Sequence, residues 1–283
     1  MATRKSSSAI GRTVTVVIIV CLIALAGFSV RMWKFYEARL WKYEGSFHVL
    51  DSTTLTLNVY AYDRQHIQKI QLPEDVYLDV PGGYGFYKLK DIGPLSAVEK
   101  KGEELLLNSV MSTMGVPIES TVTTLPFWDR LVTLWITKMN HPVEDTIDIA
   151  DYPVFDTEKR NDGVEINKMD PRKIDVVLPK LFWESSLPAE DISVGVYNGG
   201  ETAGLATVTS RLLERLGIRV VAVDNWEEQL SGNCELRVDP SLSRSKTFIR
   251  LVSLFPRCEQ KEQTTEARFG IQLIVTDVPW SQQ

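Results

Sequence analysis

Residues 192–224, ISVGVYNGGETAGLATVTSRLLERLGIRVVAVD, constrain the fold more tightly than any other stretch of the chain. Ile192, Val194 and Val196 alternate with more polar neighbours, as a strand does, and Asn198-Gly199-Gly200 supplies residues that tolerate positive φ at a sharp turn. Thr202 is placed to cap a helix. Leu205, Val208, Leu212 and Leu216 then recur at spacings of three and four, giving one apolar stripe, and Gly217 stands where a left-handed cap would end it. Ile218–Val223 follows as a β-branched strand. The expected unit is a right-handed parallel β-α-β crossover.

Glycines after a strand and before a helix also open nucleotide sites, with Asp224 near the position of a ribose-binding acid. The spacing here speaks against one. Gly199, Gly200 and Gly204 do not form G-x-G-x-x-G, and Glu201 brings negative charge to the helix N-terminus, where a pyrophosphate needs free N–H groups and the positive dipole end. Asn198, Gly199, Gly200 and Gly204 are therefore read as a structural turn.

Val196-Tyr197-Asn198-Gly199, Gly204-Leu205-Ala206, Leu212-Leu213 and Gly217-Ile218-Arg219-Val220 together resemble the opening of the C-terminal domain of the LytR family of cell-envelope proteins. The resemblance continues more weakly through 227–279. Cys234–Val238 reads as a third strand, Ser245–Phe255 as a second helix and Phe269–Val275 as the closing strand, so a small β-α-β-β-α-β domain over 192–279 is expected.

Residues 13–30, TVTVVIIVCLIALAGFSV, carry no charge, and 18 residues at helical rise span about 27 Å, close to a bilayer's hydrocarbon thickness. A transmembrane anchor is expected there, after a cytoplasmic tail at 1–12. A cleaved secretory signal is the alternative, since Arg4, Lys5 and Arg12 make a basic leader and Ala24-Leu25-Ala26 resembles a cleavage site. Against cleavage, the apolar run continues through Phe28 and Val30, and Trp33, Tyr36 and Trp41 suit an interfacial belt. Arg31, Lys34, Arg39 and Lys42 outnumber the basic residues before the helix, so charge alone does not orient it. The extracytoplasmic placement of the bulk of the chain is an implication of the family resemblance.

The formal charge is −6, and setting aside Arg4, Lys5 and Arg12 leaves −9, a surface ill-suited to nucleic acid. His48, His66 and His141 show no zinc-ligand spacing with the cysteines. Cys21 lies in the apolar run. In an exported domain Cys234 and Cys258 would pair; in a cytoplasmic one they would stay reduced.

Between these regions, Thr54–Tyr60 and Ile67–Leu72 alternate at period two around a polar turn at Asp63-Arg64-Gln65, which reads as a hairpin. Val76–Leu78 is a third short strand. A glycine loop at Pro81–Gly85 follows, and a helix is expected from near Leu95 to about Met114, ended by Gly115. Asp51-Ser52-Thr53 before the first strand, Pro73-Glu74-Asp75 after the second, and Lys88-Leu89-Lys90 with Gly93-Pro94 after the glycine loop resemble the LytR-CpsA-Psr domain over about 48–120. That resemblance implies an extracytoplasmic phosphotransferase fold that joins glycopolymers from lipid carriers to peptidoglycan. The departure is Glu74, which stands where the family has arginine. Phosphoryl transfer relies on positive charge around the transferring group, and a carboxylate opposes it.

Leu125–Leu131 opens a helix with Trp128, Leu131, Leu134, Trp135 and Met139 at helical spacing, either a core helix or an amphipathic one on the membrane, core packing being the commoner fate. The prolines and charged run of 142–179 read as irregular surface connection, and Ser185–Asp191 as a boundary.

The expected architecture is α/β: a transmembrane helix at 13–30, a degenerate LytR-CpsA-Psr-like domain at 45–185 and the small domain at 192–279. The expected role is non-catalytic binding or scaffolding at the cell envelope, touching the membrane through 13–30 and a cell-wall polymer or envelope protein beyond it, without cofactor or metal. The alternative is an active phosphotransferase using Asp51, Asp75, Lys88 and Lys90, with charge from Arg64 and magnesium as its metal.

Overall fold

The computed structural model describes residues 7–42, 45–61, 65–159, 163–227, 230, 234–262 and 269–276, and of residues 7–13 the backbone alone. Arg4, Lys5, Arg64, Arg160 and the Arg12 side chain lie outside the described residues. Helix α1 (Ser7–Glu37) runs unbroken through the Ala24-Leu25-Ala26 segment. Its side chains from Val14 to Val30 are exposed. Among the described residues it is the one helix long and apolar enough to cross a membrane.

Strands β1 (Phe47–Asp51), β2 (Thr56–Tyr60) and β3 (His66–Gln71) form an antiparallel set, the latter two being the expected hairpin. Strands β4 (Tyr77–Val80) and β5 (Gly85–Lys88) form a second hairpin, closed by helix α2 (Leu89–Val98). Helix α3 (Glu104–Met114) follows, then strand β6 (Ser120–Thr121), which adds to β1 in parallel. The single helix expected over 95–114 is thus two. Lys100 and Gly102 both take φ of 57° between them, a left-handed break that the Lys-Lys-Gly run permits. Val98, the last residue of α2, is exposed at this break.

Helix α4 (Phe127–Met139) precedes strands β7 (Val143–Asp148), β8 (Phe155–Lys159) and β9 (Glu165–Met169) and helix α5 (Pro171–Val177). The segment expected to be irregular therefore supplies three strands. β7 and β8 lie at sheet edges with almost every side chain in water, so no apolar alternation marks them. The first sheet has the order β6-β1-β2-β3-β7 and the second β5-β4-β9-β8. β1, absent from the expectations, is a central strand with Phe47–Leu50 all buried, a continuous run that shows no period-two signal.

Strand β10 (Ser193–Asn198), helix α6 (Leu205–Leu216) and strand β11 (Arg219–Asn225) make the parallel crossover, with a bulge between Val194 and Gly195. Strand β12 (Glu235–Val238), helix α7 (Lys246–Leu254), strand β13 (Glu259–Glu262) and strand β14 (Ile271–Val275) complete a sheet of order β11-β10-β14-β12-β13. This is one strand more than the β-α-β-β-α-β expected. The extra strand, Glu-Gln-Lys-Glu, is a polar edge without an apolar face. Most of the buried apolar side chains form one cluster that runs from Leu50 to Val275, so the two α/β halves share a core, and Phe47, Val49 and Leu125 form a smaller cluster with Leu40 and Trp41.

Candidate functional site

The turn at 198–204 is held by side-chain amide bonds. Asn198 Oδ1 accepts from Gly200 N at 3.1 Å and its Nδ2 donates to Thr202 O at 3.0 Å. The positive φ falls not at Gly199 or Gly200 but at Gly204, at 77°, which takes the helix cap expected of Thr202. Gly200 is required for a different reason: a Cβ there would lie 1.9 Å from the Thr276 carbonyl oxygen. Both observations describe a packed turn.

The upstream candidates gather around a cavity of about 520 Å³ lined by Ser52, Thr53, Leu55, Glu74, Lys90 and Glu103, with Gly93 and Pro94 on its wall. Asp51 ends β1, and its Oδ1 accepts from Thr53 N at 2.9 Å and Thr54 N at 3.3 Å, which folds the turn back to β2. Leu55 completes that turn with φ of 50°. Across the cavity, Leu89 N and Lys90 N donate to Val76 O and Glu74 O at 2.8 and 3.1 Å, fixing the start of α2 against the Pro73–Val76 segment.

Asp75 draws both candidate lysines to itself. Its carboxylate lies 2.7 Å from Lys90 Nζ and 3.4 Å from Lys88 Nζ. Hydrogen bonding from Lys90 and then Lys88 holds the Asp75 carboxyl below its ordinary value, and the Asp75 bond raises Lys90 in turn. Two candidate cations are thereby committed to one anion.

Glu103, which no sequence signal marked, is the other centre of the site. Ser52 Oγ donates to its Oε1 at 2.6 Å, and the hydroxyls of Thr121 and Thr123 donate to its Oε2. Burial acts to raise its pKa, but these three hydroxyl bonds outweigh burial and hold it below the ordinary glutamate value. The Ser-Thr-Val-Thr-Thr run at 120–124 was the one trace of this cradle in the sequence, and it pointed to no ligand.

Asp51 is occupied by backbone N–H groups and Asp75 by two ammonium groups, and among the described residues no three acidic, histidine or cysteine side chains converge as metal ligands. Of the candidates, Lys90 borders the cavity, Asp51 adjoins it through Ser52, and Asp75 and Lys88 form an exposed pair beside it.

In the C-terminal half, Cys234 and Cys258 are joined as a disulfide with Cα atoms 4.5 Å apart, tying the start of β12 to the segment after α7. Residues 191–277 of this half match the family described as LytR cell envelope-related transcriptional attenuator. This half is a LytR C-terminal domain. The match begins at Asp191 and takes in the crossover and the disulfide loop of that domain.

No curated protein matches the chain. Solved structures similar to it include TagT from B. subtilis, at 13% identity and a TM-score of 0.33 over 47% of this chain and 88% of that one. A transcriptional regulator from Enterococcus faecalis gives 11% identity and a TM-score of 0.33 over 62% and 89%. The LytR-CPS2A-psr family protein YwtF with bound octaprenyl pyrophosphate gives 11% and 0.30 over 62% and 90%.

Proposed function

We propose that the chain is a membrane-anchored, extracytoplasmic cell-envelope protein whose upstream α/β domain binds or scaffolds without catalysing phosphoryl transfer. The carrying observation is the charge around the 520 Å³ cavity. Glu74 and Glu103 line it, Asp51 lies beside it, and Lys90 is paired with Asp75. A diphosphate placed there would meet uncompensated carboxylates, where transfer needs cations. Glu74 is also the residue at which the resemblance to the LytR-CpsA-Psr domain departs from arginine.

Anchoring is supported by α1, and the extracytoplasmic side by the disulfide within the LytR C-terminal domain, since such bonds persist in oxidising surroundings. Hydroxyl and carboxylate groups suit the hydroxyls of a wall polymer better than they suit a phosphate.

A phosphotransferase is the second reading, favoured by the position of Lys90 on the cavity wall. Purified full-length protein incubated with a polyprenyl-pyrophosphate-linked glycan and magnesium separates the two. No turnover by wild type, with diphosphate binding gained in Glu74→Arg, is the expected result. Turnover that Lys88→Ala or Lys90→Ala abolishes would overturn the non-catalytic reading.

A further inference from the structure

Helix α4 is turned opposite to the way a surface helix of a water-soluble domain sits. It buries Asp129, Thr133 and Ile136, and leaves Phe127, Leu131, Leu134, Trp135 and Met139 between 45% and 69% exposed. Those five fall at spacings of four, three, one and four, which makes one continuous outward stripe. The cause of the inversion is Asp129. Its carboxylate accepts from Leu40 N at 2.7 Å and Trp41 N at 3.1 Å, the backbone just beyond α1, so the polar side of α4 must face inward.

The same contacts place the stripe in space. Phe127 lies 5.3 Å from Phe35 and Trp128 meets Tyr36 edge-on at 5.5 Å, so α4 begins against the last turn of α1. Trp33 and Tyr36 in that turn are exposed aromatic side chains of the kind that sit at headgroup depth. Arg31 and Arg39 set their guanidinium groups 5.8 Å and 3.6 Å from the Phe35 and Tyr36 ring centroids, Lys34 stands in the last turn of α1, and Arg130 and Lys138 are carried on α4 itself, cations that complement anionic lipid headgroups.

From this continuity we infer that α4 lies in the plane of the membrane interface, its stripe in the headgroup and upper acyl region of the leaflet from which α1 emerges. The inference rests on the membrane-anchor reading of α1. It gives α4 the work of fixing how the upstream domain stands over the lipid, because Asp129 couples the helix rigidly to the anchor's end.

Single nitroxide labels on the full chain test it, in a Cys21→Ser background reconstituted into phosphatidylcholine and phosphatidylglycerol vesicles. Labels at 131 and 135 report the stripe, labels at the exposed positions Val98 and Val176 report water, and a label at Leu22 reports the anchor. The expected result is that 131 and 135 lose most of their collision with a water-soluble nickel chelate and gain collision with oxygen, relative to 98 and 176. Equal chelate access at all four sites with Leu22 still in lipid overturns the inference and leaves the anchor standing. Chelate access at Leu22 overturns the anchor and the inference together. Shielding at 131 and 135 that disappears on dilution with unlabelled chain assigns the stripe to a second copy and also overturns it.

Discussion

Arg250 reaches out of α7 into the junction between the two halves of the chain and sets its Nη1 3.1 Å from Oε1 of Glu119. The same guanidinium lies 2.9 Å from Glu184 and donates to the Ser46 carbonyl at 3.3 Å. Its side chain is 2% exposed. A guanidinium serves here because its planar fork meets two carboxylates and a carbonyl at once.

Replacing Arg250 by methionine leaves Glu119 and Glu184 buried with their countercharge removed, and is expected to destabilise the protein by about 3 to 5 kcal/mol. Combining it with Glu119→Gln and Glu184→Gln should recover most of that loss. Denaturant unfolding of the two variants is the check, and equal losses would show that packing rather than charge is at stake.

His48 sits in the same junction, fully buried, and burial followed by the nearby Arg250 charge lowers its pKa from 6.5 to about 3. Its Nδ1 pairs with the Pro117 carbonyl at 2.8 Å, which places the proton on Nδ1 in the neutral ring. The unfolded chain binds a proton near pH 6.5 and the folded one does not, so the His48 contribution is complete above 6.5. It is lost as pH falls toward 3, with a slope of at most about 1.4 kcal/mol per unit. Glu119, which burial pushes up against the pull of Arg250, contributes with the opposite sign. Comparing wild type with His48→Gln across pH 4 to 7 isolates the histidine: the variant should lack this slope.

Gly200→Ala is expected to destabilise the LytR C-terminal domain by about 3 kcal/mol, because the added Cβ meets the Thr276 carbonyl rather than a side chain that can move aside. Gly204→Ala meets open space and bears only the strain of its positive φ, on the order of 1 kcal/mol. Thermal unfolding of the pair should rank them in that order.

Removing the disulfide with Cys234→Ser and Cys258→Ser opens a loop with a sequence separation of 24, which chain-entropy reasoning values at about 3 kcal/mol. Thiol labelling of the protein unfolded in denaturing detergent should modify Cys21 alone before reduction. Labelling of Cys234 and Cys258 without reductant would count against an extracytoplasmic tail.

The elements legible in advance were those with a buried face and a wet one. β2 alternates, α6 carries its stripe through Leu205, Leu212 and Leu216, and Gly217 closes it at φ of 94°. The strands missed were those with two like faces: β1 buried on both, β7, β8 and β13 wetted on both. Period-two patterning exists only where the two faces differ. The site was half legible for a related reason. Asp75, Lys88 and Lys90 lie within one local segment, whereas Glu103 meets Ser52, Thr121 and Thr123 only after α3 has packed behind the sheet.

The linear chain determined the apolar helix, the crossover and the charge at Glu74, because each depends on neighbours within one element or on the residue type alone. Tertiary structure alone decided that the two α/β halves share a core, that Asp75 pairs with both nearby lysines, and that Asp129 turns the apolar side of α4 outward. Those outcomes depend on which partner a buried or half-buried charge finds across the fold, and Asp129 finds its backbone donors 88 and 89 residues away.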